Sequence, residues 1–192
     1  FYSNCIMALY INHGFIKKIS QEWRWGIVAI YTSALYVFLP FGPRFWRFVL
    51  GQWGHSINYL GLFLVCVLGA YFLVYLIFQK QVKDISVYFA FFLISLACLA
   101  ILKYMCSTGA ERFHLLMYGI LGCIIFWALK LDVKNKRVYF YTTLLVFLLG
   151  TIDELIQGLL PMRVFDVKDI FMNCLSGGMG ELFIAFVLRP DV

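Results

Sequence analysis

The chain has 192 residues, 63% of them hydrophobic and only 14% charged, and its mean hydropathy is +0.86. An ordinary soluble domain is apolar over about half its residues, so that class is excluded, as are a disordered chain and a disulfide-stapled secreted module. The net charge of +6 is therefore read as a topology signal of a membrane protein and not as a nucleic-acid-binding face, which would have to be solvated.

The stretch from Phe1 to Phe15 is apolar but interrupted by Asn4, Asn12 and His13. It is shorter than the ~20 residues a span needs, so residues 1–24 are expected to hold an interfacial helix or a truncated span. Six longer apolar runs follow: Trp25 to Phe41, Ile57 to Phe78, Ile85 to Leu102, His114 to Leu131, Val138 to Leu155 and Ile170 to Leu188. Breakers bound them, among them Pro40, Gly42 and Pro43 after the first and the polar run Lys80 to Asp84 after the second. The expected fold is all-α, a polytopic membrane bundle of about six transmembrane helices. Residues 25–102 read as three plain lipid spans, and residues 103–192 as a core that carries the function.

With the amino terminus inside, Lys17, Lys18, Arg24, Lys80, Lys83, Lys130, Lys134, Lys136, Arg137 and Arg189 fall on the cytoplasmic side. Arg44, Arg47, Lys103, Arg112, Arg163 and Lys168 fall outside. The excess inside favours two cytoplasmic termini. Trp23, Trp25, Trp46 and Trp53 sit near span ends, as interface anchors do.

Cys5, Cys66, Cys98, Cys106, Cys123 and Cys174 show neither a C-x-x-C pair nor metal-ligand spacing, so free thiols are expected and no cofactor. Glu111-x-x-His114 has the spacing of a bundle metal site, but such sites need two of these motifs, and the other candidate, Glu154-x-x-Gln157, lacks the His. No metal is expected.

Seven carboxylates crowd the second half: Glu111, Asp132, Asp153, Glu154, Asp166, Asp169 and Glu181, with Asp191 in the tail. Thr108 to Glu111 matches a helix capping box, and Asp166 and Asp169 precede a helix where negative charge is favoured, so capping is an alternative reading for all three. Asp153 and Glu154 sit at a carboxyl-terminal helix end, where the dipole disfavours them. At 1.5 Å per residue from Val138, Asp153 lies roughly 23 Å into a ~30 Å core, too deep for an unpartnered charge. Glu111, His114 and Tyr118 recur at i, i+3 and i+7, as do Asp166, Asp169 and Asn173, and Asp153 and Gln157 stand at i, i+4. One outward-facing pocket is expected, with Pro161 holding Gln157 to Phe165 as a short loop or re-entrant turn at its rim. Gly177, Gly178 and Gly180 offer a surface for close helix approach. Glu181, about 11 residues into the last span, is expected near the midplane, with its partner left open.

Three segments carry a family resemblance: Glu111-Arg-Phe-His114-Leu-Leu-Met117-Tyr118-Gly119, then Asp153-Glu154-Leu-Ile-Gln157 with Pro161-Met-Arg163-Val-Phe-Asp166-Val-Lys-Asp169 and Asn173, and then Ser176-Gly177-Gly178-Met-Gly180. In combination they resemble the VanZ-like family of small bacterial membrane proteins over roughly residues 85 to 188. Many members carry Asp-Lys before a His one residue further on, so Glu111-Arg112 and His114 look like a variant branch. That branch often has Glu where Met117 stands, and Glu181 is outside the family pattern. The resemblance implies a multi-pass protein of the bacterial inner membrane and a contribution to glycopeptide (teicoplanin) resistance, without supplying a reaction.

Two functions are weighed. In the first, the pocket binds or acts on a lipid-linked or glycopeptide envelope molecule. Glu111, His114, Asp153 and Glu154 are then the acid–base set, and Arg112, Tyr118, Gln157, Arg163, Asp166, Asp169 and Asn173 bind. In the second, the chain is a non-catalytic subunit of a larger membrane complex, as its 20 Phe and 12 Tyr would also suit. The expected partners are membrane lipids, and on the second reading other membrane subunits.

Overall fold

The computed structural model describes residues 21–106, 108–161 and 163–190. The segment from Phe1 to Phe15, with Cys5, Lys17 and Lys18, lies outside the described residues. All regular structure among the described residues is helical: α1 (Gln21–Phe38), α2 (Gly42–Trp53), α3 (Leu60–Val74), α4 (Ile85–Tyr104), α5 (Gly109–Leu129), α6 (Arg137–Leu159) and α7 (Val167–Phe183). A 3₁₀ turn, Gly54–Tyr59, precedes α3, and the wider π-helical turns Tyr75–Gln79 and Ile184–Leu188 prolong α3 and α7. Five helices are long and apolar enough to cross a membrane, and α1 with α2 makes a sixth candidate, bent by 69°. The protein is a multi-pass membrane helix bundle.

The bend departs from the straight first span expected to Phe41. Pro40 has no amide to donate and disfavours helical backbone in the residue before it, while Pro43 fits the first turn of α2, where its missing N–H is no loss. At about 27 Å, α1 runs the length of the bundle. Gln21 and Trp25 donate to the carboxylate of Asp132, the latter at 2.8 Å, and Arg24 donates to the Trp127 carbonyl at 2.8 Å. Further along, Tyr31 bonds the Met117 carbonyl (3.0 Å) and Tyr36 the Leu149 carbonyl (2.8 Å). α2 then exposes Phe45 and Phe48 beside Arg44 and Arg47 and turns Trp46, Val49 and Leu50 inward, the pattern of a helix lying at a membrane interface.

Successive long helices run in opposite directions, so the start of α5, the end of α6 and the start of α7 share one end of the bundle with Asn58 and α2. Lys80, Lys130, Lys134, Lys136, Arg137 and Arg189 share the other. At that far end Asp84 caps α4 by accepting from the Ser86 amide (2.9 Å) and pairs with Arg189 at 2.5 Å.

α5 and α7 pack almost backbone to backbone. A Cβ at Gly122 would lie 3.1 Å from the Gly177 carbonyl oxygen, one at Gly180 2.7 Å from that of Gly119, and one at Gly177 2.5 Å from Val146 of α6. Gly178, expected in the same surface, faces open space instead. Around this seam Tyr118, Leu121, Ile125, Val138, Val146 and Ile184 form a core with Val28 of α1. α3 and α4 pack outside it, through Leu102, Leu115, Met172 and Met179.

Gly180→Ala should cost about 1–3 kcal/mol, since the Gly119 backbone cannot move aside. Gly178→Ala should cost nothing, and thermal unfolding of both variants in detergent measures the difference. The Ser86 hydroxyl and amide, and then Arg189, hold the Asp84 carboxyl below the ordinary aspartate range. Its stabilisation is therefore present above the unfolded pKa of ~3.9 and lost as pH falls through the lower folded value. Asp84→Asn should flatten the acid limb of the stability profile below about pH 4.

Candidate functional site

The inward stripe of α6 is Val138, Thr142, Val146, Gly150, Asp153, Glu154 and Gln157, spaced every three or four residues so that one face stays buried throughout. The stripe turns from apolar to acidic in its last two turns. α6 continues to Leu159, so Gln157 is helical and not part of the expected loop, which shrinks to the residues around Pro161. Its side chain is therefore rigidly placed. The Gln157 amide donates to Glu154 Oε1 at 2.8 Å and to Asp153 Oδ2 at 3.1 Å, bridging two adjacent carboxylates with one neutral group. Glu154, fully buried, also accepts the Asp166 amide at 3.2 Å.

His114 and Tyr118 descend from α5 on one face, ring centroids 6.2 Å apart. Asn173 enters from α7, and Gly150 makes room for it: a Cβ there would lie 2.9 Å from Asn173 Cβ and 3.5 Å from the Tyr118 ring. Asp153 lies in the field of Tyr118, His114 and Arg163, and Asp169 in that of His114. The Tyr118 hydroxyl is near enough to act on Asp153 and stops short of a hydrogen bond of ordinary geometry.

The outcome is a concentration of buried polar atoms without a hydrogen-bond partner: His114 Nδ1, the Tyr118 hydroxyl, Asp153 Oδ1, Arg163 Nε, and both Nδ2 and Oδ1 of Asn173. Each such atom costs about 1–3 kcal/mol, and native interiors hold few. Donors and acceptors are mixed in the set, and all but those of His114 and Tyr118 come from α6, α7 and the loop between them.

Not every expected residue joins this cluster. Arg112 turns to the opposite face of α5, where it donates to the Asn58 carbonyl at 2.7 Å and lies over the Tyr59 ring at 5.6 Å. Glu111 is at the rim, its amide capped by Thr108 at 3.2 Å and its carboxylate paired with Lys168 at 3.0 Å. Asp166 is exposed and is the N-cap of α7, accepting the Lys168 amide at 2.8 Å. For Asp166 the capping explanation accounts for the side chain, and for Glu111 the ion pair with Lys168 does. Glu181 finds its partner in the Thr143 hydroxyl, 3.1 and 3.0 Å from its two oxygens.

The first two helices supply pieces that their hydropathy hid. Tyr36 of α1 lies in the field of Asp153, and Arg163 Nη2 lies 2.9 Å from where a Cβ on Gly42 would stand. Trp46 stacks edge-on against Phe113 at 5.8 Å, and Asn58 Oδ1 accepts the Gly109 amide at 3.2 Å. A glycine set between Pro40 and Pro43 was the one available signal. Among the described residues no group of three His, Cys, Asp or Glu is arranged to hold a metal ion, and Cys66, Cys98, Cys106, Cys123 and Cys174 are free.

The VanZ/LLP1 family model matches residues 99–188. Over these residues the match supports assignment to the VanZ-like family. The match runs from the last turn of α4 to the end of the last span, so it contains every cluster residue except the contributions of Tyr36 and Gly42. No curated protein and no solved structure matches the chain.

Because Asn173 spends two unpartnered amide atoms in the VanZ-like core, Asn173→Leu should leave thermal stability equal or higher. Gln157→Leu strands two carboxylates and should cost at least about 3 kcal/mol, read from the same unfolding curves.

Proposed function

We propose that this VanZ-like protein binds the polar head of a lipid-linked or glycopeptide envelope molecule at the outer face of the bacterial inner membrane, with the far end and both termini cytoplasmic. The observation that carries the reading is the mixed set of unpartnered donors and acceptors on His114, Tyr118, Asp153, Arg163 and Asn173. Sugar hydroxyls and peptide amides are each donor and acceptor at once, so a glycan or peptide head answers both kinds of atom. A purely anionic ligand would leave Asp153 and the Asn173 carbonyl unanswered. Arg163 offers a charge-assisted bond to a phosphate or carboxylate on that head, and His114 with Asp153 or Glu154 places an acid and a base beside it. The orientation follows from the excess of Lys and Arg at the far end.

A second reading, a structural subunit of a larger membrane complex, draws on α3 and α4, which bury little of their own surface. In mild detergent that reading expects a particle of fixed stoichiometry with other membrane proteins.

Simultaneous Asp153→Asn and Glu154→Gln substitution should abolish the contribution of the protein to teicoplanin tolerance while membrane insertion, checked by fractionation, is retained. Unchanged susceptibility in a correctly inserted double variant rejects the envelope-ligand reading.

A further inference from the structure

A cavity lies outside the polar cluster, on the other face of α5. It is about 760 Å³, within the ~300–1,000 Å³ usual for ligand sites, and is lined almost wholly by apolar groups of α3, α4, α5 and α7. Along α5 it extends from Leu115 to Trp127, about 18 Å at 1.5 Å per residue, running from the site half of the helix past its middle to its last turn. The cause is in the helix contacts. α3 meets α5 tightly at the site end, where a Cβ on Gly61 would lie 3.1 Å from Arg112 Cβ, but lower down a Cβ on Gly69 would meet nothing within 4 Å. Leu73 and Trp127, which line the cleft, are exposed.

A second cavity of about 270 Å³ continues it toward the site end, lined by Tyr59, Leu62, Leu99, Leu102, Lys103 and Arg112, and Leu99 lines both. The apolar slot thus ends beneath two cations, Lys103 and Arg112, at the site end of the bundle. Among the described residues neither Lys103 nor Arg112 makes an ion pair with a carboxylate. Arg112 gives Nη1 to Asn58, and Lys103 lies over the Tyr104 ring at 5.1 Å. Cationic side chains without a carboxylate partner at a membrane surface attract anionic lipid heads.

We propose that this cleft is a binding site for a membrane lipid with an anionic phosphate head, one tail lying between α3, α4 and α5 and the phosphate held by Arg112 and Lys103. The site does not rest on the proposed function, since α5 separates it from the polar cluster.

The test is a titration of the purified chain in detergent with phosphatidylglycerol and with phosphatidylcholine of the same acyl chains, bound lipid being counted by native mass spectrometry. Phosphatidylglycerol should bind more tightly. Lys103→Gln and Arg112→Gln should each weaken it about fivefold, the equivalent of ~1 kcal/mol per cation, and leave phosphatidylcholine unchanged. Gly69→Leu, which grows into the cleft without a backbone clash, should weaken both lipids. Lys103 is exposed, so its variant reads the headgroup even if Arg112→Gln disturbs the Asn58 contact. Equal binding of the two lipids, a phosphatidylglycerol preference undiminished by Lys103→Gln, or full binding by Gly69→Leu would each overturn the proposal.

Discussion

The near-contact of the α5 and α7 backbones governs the rest of the molecule. In a bilayer the hydrophobic effect does not hold one helix to another, so close packing between small residues takes its place. Gly119 and Gly122 of α5 meet Ser176, Gly177 and Gly180 of α7, with Val146 of α6 pressed on Gly177. Tyr118 stands next to Gly119, and Asn173 one turn before Gly177. Their approach to each other follows from the seam. A single methyl at Gly180 would push apart the two helices that deliver four of the six unpartnered atoms of the cluster.

Polar groups at this depth are costly unless something answers them, and the fold answers only some. Gln157 stitches Asp153 to Glu154, and Thr143 serves Glu181 far from the site. Of the remaining orphans, all but the Thr32 hydroxyl of α1 gather at one end. α5 is thereby two-faced: His114 and Tyr118 look toward α6 and α7, while Arg112, Leu116 and Ile120 look toward α3 and α4. One helix separates a polar, mostly packed region from an open apolar cleft.

Much of this was legible in the residues themselves. Hydropathy located the spans because a ~30 Å apolar slab leaves little freedom of length, and depth together with an unfavourable helix dipole marked Asp153 and Glu154 as special. Cap chemistry was local, so Thr108 and Asp166 were readable as caps. Spacing did less well with orientation. It groups residues on a face but does not say which face turns inward, so Arg112, which turns to Asn58 and Tyr59 on another side of α5, was placed in the cluster. Tyr36 and Gly42 were missed because an aromatic or a glycine in an apolar run looks the same whether it meets lipid or protein. Gly178 shows the converse, a glycine in a glycine-rich run that packs against nothing.

The way the first half is attached carries a consequence for how its sequence can vary. Arg24, Tyr31 and Tyr36 all reach across to main-chain carbonyls of α5 and α6, and Arg112 reaches back to the carbonyl of Asn58. A carbonyl is offered by every residue. These contacts require a donor of suitable reach on one side and no particular side chain on the other, whereas the glycine seam and the carboxylate bridge require specific residues on both. Apart from the Gln21 and Trp25 bonds to the Asp132 carboxylate, the docking of α1 is thus written in a degenerate code, in which a change on the carbonyl side is tolerated where a change in the glycine seam is not.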